Sequence, residues 1–182
     1  VAKLASTDPV WADRQAAALR AYQRAVSWDS QQPMYWVELA RFALVSGSSD
    51  EAVAAARRAV RASDGDPFML EVLGSAALDG YYRSRDVGLL DTARQTFERL
   101  VRLDGRNASF RLGLGAALAA GGELERGLGE LRTGTELAPQ RGDGWRKRAV
   151  VEDALLLCAD ASASWERAVG LGEDRPPSGG AR

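Results

Sequence analysis

Three arginines, Arg57, Arg58 and Arg61, sit within one five-residue stretch and have the spacing of a phosphate-binding cluster. They fall near the carboxyl end of a helical run, where cations are favoured by the helix dipole, so they read as its solvated face. Gly113 and Gly115 in "LGLG" have part of the spacing of a dinucleotide loop. Leu118 stands where the third glycine belongs and no strand precedes it, which removes that reading. Tyr81, Tyr82, Arg83 and Arg85 form an aromatic and arginine cluster of the kind that anchors protein interfaces. They fall in an insertion between two helices, where they also serve to cover helix ends. Cys158 follows Leu155, Leu156 and Leu157 and reads as a buried, inert thiol.

Nothing else in the composition supports catalysis. Histidine is absent, which removes the commonest general base and zinc ligand. Asp64, Asp66, Glu71, Asp79 and Asp153 are scattered, with no spacing that builds a metal cage or an acid/base pair. The sequence thus predicts no enzyme, no catalytic residue, no metal and no cofactor. With 24 basic and 25 acidic residues the net charge is −1, which gives no bulk electrostatic case for nucleic acid or an anionic membrane. No apolar run approaches the length of a membrane span, so direct membrane insertion is not expected. A single cysteine cannot form an intramolecular disulfide.

The elements that carry these residues are helices. At 182 residues, 46% hydrophobic and 27% charged, the chain has the size and balance of an ordinary globular domain. Pro9, Pro33 and Pro67 each follow a helix-opening residue and mark a first helical position, where the missing N–H has no partner anyway. Asn107 reads as an N-cap, and "SGSS", "SDGD", "LDGR" and "AAGGE" as stops. About nine helices result, with no strand.

These helices repeat. Trp36-x₂-Leu39-Ala40 is followed by Ala52, Ala56 and Ala59, and Leu70-x₂-Leu73-Gly74 by Ala93, Phe97 and Leu100. Arg111-x₂-Leu114-Gly115 leads to Gly127, Leu131, Gly134 and Pro139, and Trp145-x₂-Arg148-Ala149 to Ala161, Trp165 and Ala168. Pro33 and Pro67 lie 34 residues apart, as do Ala108 and Gly142, while Pro67 to Ala108 is longer by a seven-residue insertion in "DGYYRSRDVGLL". A helix whose inner side is mostly alanine, such as Ala52 to Ala59, is one layer of a core shared with its neighbours.

This pattern resembles the tetratricopeptide repeat, W-x₂-L-G-x₂-Y, A-x₃-F and P over 34 residues. The resemblance implies an all-α solenoid of stacked antiparallel helix pairs in a right-handed superhelix. The expected organisation is an arm at 1–8, a capping helix or half repeat at 9–32, and four pairs at 33–66, 67–107, 108–141 and 142–170, with a disordered tail at 171–182. Arg111, Gly127 and Arg148 depart from the preferred types, and the closing proline survives only as Pro139.

The resemblance further implies a non-catalytic scaffold that takes a peptide or helix of a partner protein in a concave groove lined by the first helix of each pair. By register the groove presents Met34, Val37, Arg41 and Leu44, then Phe68, Glu71, Ser75 and Leu78, with Leu112, Ala116, Arg146 and Val150 continuing it. Tyr81, Tyr82 and Arg83 add an insertion contact. The lysine and asparagine clamp of chaperone-binding members is missing, since Val37, Arg41, Glu71, Ser75, Leu112 and Ala116 occupy its places. "YWVELARFAL" and "VGLLDTARQTFERLVRLDGRNA" are also similar to the repeat-containing tails of bacterial O-antigen-ligase-type membrane proteins. That likeness implies catalytic residues upstream of this chain and a place outside the cytoplasm. Self-association of the array is the third reading.

Overall fold

A computed structural model describes residues 9–174. Among them are nine helices and no strand: α1 (Pro9–Trp28), α2 (Pro33–Val45), α3 (Ser49–Ala62), α4 (Pro67–Ser84), α5 (Val87–Leu103), α6 (Ala108–Ala120), α7 (Leu124–Leu137), α8 (Gly142–Ala154) and α9 (Cys158–Gly170). The chain divides into two compact units, one ending at Thr96 and the other beginning at Phe97, within α5. The expected arm at 1–8 and the tail residues 175–182 lie outside the described residues.

The local signals act as their chemistry dictates. Pro33 and Pro67 open α2 and α4. Asp66 accepts hydrogen bonds from the Phe68 and Met69 amides at 2.9 and 3.4 Å, and Asn107 from those of Ser109 and Phe110 at 3.0 and 3.4 Å. Each satisfies amide groups that have no partner inside the helix. The insertion lengthens its two helices to 18 and 17 residues, against 13 and 14 for α2 and α3. Tyr81, Tyr82 and Arg83 therefore stand on the last helical turn of α4, not in a loop.

In the first unit, α2 packs on α3, α3 on α4, and α1 on α2, where the Tyr22 and Phe42 rings lie 5.6 Å apart. Ala52, Ala56 and Ala59 of α3 are fully buried, with Ala59 packed against Val37 and Met69. In the second unit α6 pairs with α7 and α8 with α9, and α7 packs on α8. Leu112, Leu128, Leu131 and Val151 form a core cluster there. Gly113 lies under the Phe97 ring, so close that an added Cβ would come within 2.2 Å of it. The glycines of "LGLG" are thus a packing device.

One hydrogen bond recurs at the fourth position of three repeats. The indole nitrogens of Trp36 and Trp145 donate to the carbonyls of Ser30 and Pro139, both at 2.9 Å, and Arg111 Nε donates to the Gly105 carbonyl at 2.8 Å. Each bond spans six residues and ties the incoming loop to the helix it starts. Arg111 thus keeps the function of the tryptophan it replaces, and its guanidinium also pairs with Glu130 at 2.7 Å. Arg58 and Arg148 lie over the Trp36 and Trp145 rings at 5.4 and 5.2 Å, within cation–π reach.

The turn between α8 and α9 departs from the sequence reading. Gly47 and Gly122 take positive φ in the corresponding turns, but here Leu156 does so at 59° and is largely exposed. Leu155 packs against the core, but Leu156 and Leu157 are exposed in the turn, and Cys158, read as buried, is exposed with them.

Candidate functional site

The first helices of the pairs carry the candidate binding residues, and the structure sorts them by exposure. In the first unit α2 and α4 lie side by side. Met34 on α2 and Phe68 on α4, at equivalent register positions, are 42% and 47% exposed, far more than core residues of their size. Arg41 and Ser75 are exposed, and Leu44 and Glu71 are half-buried. Among the described residues Arg41 pairs with the half-buried Glu38 at 3.8 Å, a contact worth little in water.

Val37 and Leu78 do not belong to that surface. Both are buried, Val37 because α3 and α4 close over it through Ala59 and Met69. Leu112 of the second unit is likewise buried, in the cluster with Leu128, Leu131 and Val151, and Ala116 is buried on the same helix. Each of these residues belongs to the packed interior of its own unit.

The insertion residues are held in place. Arg83 Nε donates to Asp79 at 2.7 Å, and its Nη2 reaches the Leu44 carbonyl at 3.4 Å, so it ties the end of α4 to the end of α2. The Tyr81 and Tyr82 rings lie 5.9 Å apart, and the Arg85 guanidinium covers Tyr81 at 5.6 Å. Tyr82 remains half exposed. Of the arginine trio, Arg57 turns to Thr92 on α5, at 3.3 Å, while Arg58 and Arg61 line a recess of about 150 Å³ beside Trp36 and Gln31. The three do not converge on one site.

In the second unit Arg146 is paired. The chain after α9 runs back over the start of α8, and Glu173, from the segment expected to be disordered, accepts from Arg146 Nε at 2.9 Å. Nearby, Asp143 accepts from Arg141 Nη2 and Lys147 Nζ, both at 2.9 Å, and Arg141 Nη1 bonds Ser109 Oγ. Burial pushes the Asp143 carboxyl up, but hydrogen bonds and charge from Arg141 and Lys147 outweigh it and hold it at about 2. The stabilisation from this triad is complete above about pH 4 and is lost as the pH falls toward about 2. Asp143→Asn should therefore be less stable than the unsubstituted chain at neutral pH, and the gap between their melting temperatures should close across that acid window.

Among the described residues no group of three or more His, Cys, Asp or Glu side chains gathers as a metal site, and no helix is long and apolar enough to cross a membrane.

The sequence profile described as tetratricopeptide repeat matches residues 13–67 and 84–141, more than half of the chain. Solved structures agree in fold. TTC0263, a thermophilic tetratricopeptide protein of Thermus thermophilus, is 22% identical with a TM-score of 0.74, over 93% of this chain and 89% of its own. YrrB, described as a tetratricopeptide protein with an unusual peptide-binding site, is 20% identical with a TM-score of 0.62, over 90% of this chain and 81% of its own. MamA from Desulfovibrio magneticus RS-1 is 15% identical with a TM-score of 0.65, over 86% and 83%. At these identities the likeness is one of fold, an all-α solenoid of tetratricopeptide type. No curated protein matches the sequence.

Proposed function

Since the chain belongs to the tetratricopeptide repeat family, whose members are generally protein-interaction scaffolds, we propose that it holds an extended or helical segment of a partner protein along the α2–α4 face. One observation carries the reading: Met34 and Phe68, large apolar side chains at the same register position of adjacent first helices, are both left open to solvent. Seven residues further along each helix, the exposed Arg41 and Ser75 supply a cation and a hydroxyl, and the half-buried Glu71 and Leu44 belong to the same two helices. Apolar anchors on adjacent helices with polar groups further along each suit a segment that presents its own apolar side chains. A peptide ligand is in keeping with the peptide-binding site for which YrrB is described. Met34, Arg41, Leu44, Phe68, Glu71 and Ser75 are the contact residues, with Val37 and Leu78 beneath them. Tyr82 extends the same unit's surface at the end of α4.

A peptide library displayed against the chain tests this. Peptides retained by the unsubstituted protein should lose affinity about tenfold or more to the Arg41→Ala/Phe68→Ala double variant, as expected when interface anchors are truncated. Equal retention by the double variant would place binding elsewhere and sink the reading.

A further inference from the structure

The repeat register allows each pair's outer face to be compared with the one before it. In the α6–α7 pair, Leu112, Ala116 and Thr135 are 1%, 7% and 1% exposed. Leu112 and Thr135 are covered by α8, whose Gly144 lies so near that a Cβ there would meet them at 3.0 and 3.4 Å. Leu112 also packs with Val151. The same places in the α8–α9 pair, thirty-four positions on, carry Arg146, Val150 and Val169. Val150 and Val169 are 50% and 47% exposed, and the Arg146 side chain is 43% exposed. The face that receives a helix in the α6–α7 pair is therefore open in the α8–α9 pair.

We propose that this face is a self-association surface on which a second copy of the chain docks, α8 against α8, about a two-fold axis at Val150. The charges select that occupant. Arg146, Val150 and Asp153 stand at i, i+4 and i+7, so they share one stripe of α8. Two such stripes run antiparallel bring Arg146 of each copy opposite Asp153 of the other, offset by only about 1.5 Å along the axis. The pairing forms twice, as a two-fold contact requires. Both groups retain capacity for it: Arg146 commits Nε to Glu173, and Asp153 commits Oδ2 to the Trp165 indole at 2.9 Å. Val150 and Val169 supply the apolar centre. A contact built on two valines and one ion pair from each copy belongs at the low end of specific interfaces, so the dimer is weak and concentration-dependent.

Sedimentation equilibrium of the full chain across a micromolar concentration series tests the assignment. The unsubstituted chain should pass from monomer toward dimer. Val150→Glu, a change at a half-exposed position that leaves helicity intact, should lower the association constant about tenfold or more by placing two carboxylates on the axis. Arg146→Asp and Asp153→Arg should each be monomeric alone, and an equimolar mixture should dimerise, because opposite charges then face one another in both pairs. The proposal is overturned by a chain that stays monomeric throughout, by Val150→Glu associating as the unsubstituted chain does, or by a charge-swap mixture of helical variants that remains monomeric. Because none of these substitutions touches α2 or α4, such a failure leaves the partner-binding face untested and separate.

Discussion

Replacing Arg148 with methionine should lower the stability of the fold by about 3–5 kcal/mol in chemical denaturation, the range for breaking a buried ion pair from one side. The Glu152 side chain is fully buried. Its carboxylate accepts from Arg148 Nε at 2.7 Å and from Ser164 Oγ of α9 at 2.6 Å. Without the guanidinium, a buried carboxylate keeps one neutral donor, and Trp145 loses the cation over its ring. The magnitude belongs to the broken pair, not to the intact one. Desolvation of both charges offsets most of their attraction, so the triple variant Arg148→Met/Glu152→Leu/Ser164→Ala should return close to the original stability. A single-variant loss below about 1 kcal/mol, the scale of an exposed pair, would mean that water reaches Glu152 and that α9 does not seal it.

This network shows where the sequence stops being legible. The phase of the repeat was open to reading, because packing permits only small residues where helices meet, and Ala52, Ala56 and Ala59 stand at those contacts. Arg111 and Arg148 stood out as departures, but their compensations did not. Arg111 bonds a backbone carbonyl, which has no identity in a sequence. Arg148 and Glu152, four apart on a helix, have the spacing of any solvated pair, and only α9 with Ser164 makes the site buried. The proposed binding face was half legible for a related reason. Periodicity gives the stripe that a first helix turns toward one side, but not how much of that stripe its neighbours cover. Val37, Leu78 and Leu112 fall on the covered part, while Met34, Arg41, Phe68 and Ser75 fall on the open part. At Cys158 apolarity itself misled, because the leucines before it form a turn whose exposed member adopts a positive φ.

Two glycines on α7, only two residues apart, should respond to alanine with opposite signs. A Cβ on Gly127 would meet the Gly115 carbonyl oxygen at 2.8 Å and the Ala119 amide nitrogen at 3.0 Å. Both are backbone atoms of α6, which cannot swing aside as a side-chain end can, so α6 and α7 must separate. Gly127→Ala should therefore cost about 1–3 kcal/mol despite alanine's better helix propensity. Around Gly129 nothing lies within 4 Å of an added Cβ. There only the backbone entropy of glycine is at stake, and Gly129→Ala should raise stability by about 0.5–1 kcal/mol. Denaturation midpoints of the two variants decide the matter, and a gain at both positions would show that the helices do not approach as closely as 2.8 Å implies. Gly115 faces the same contact from α6, with a Cβ meeting the Gly127 carbonyl at 2.8 Å and Leu131 Cγ at 2.7 Å. Once either glycine has been enlarged and the helices have parted, the second substitution enters a gap that already exists. The double variant should thus lose less than the sum of the two single losses, a coupling expected of residues that share one contact.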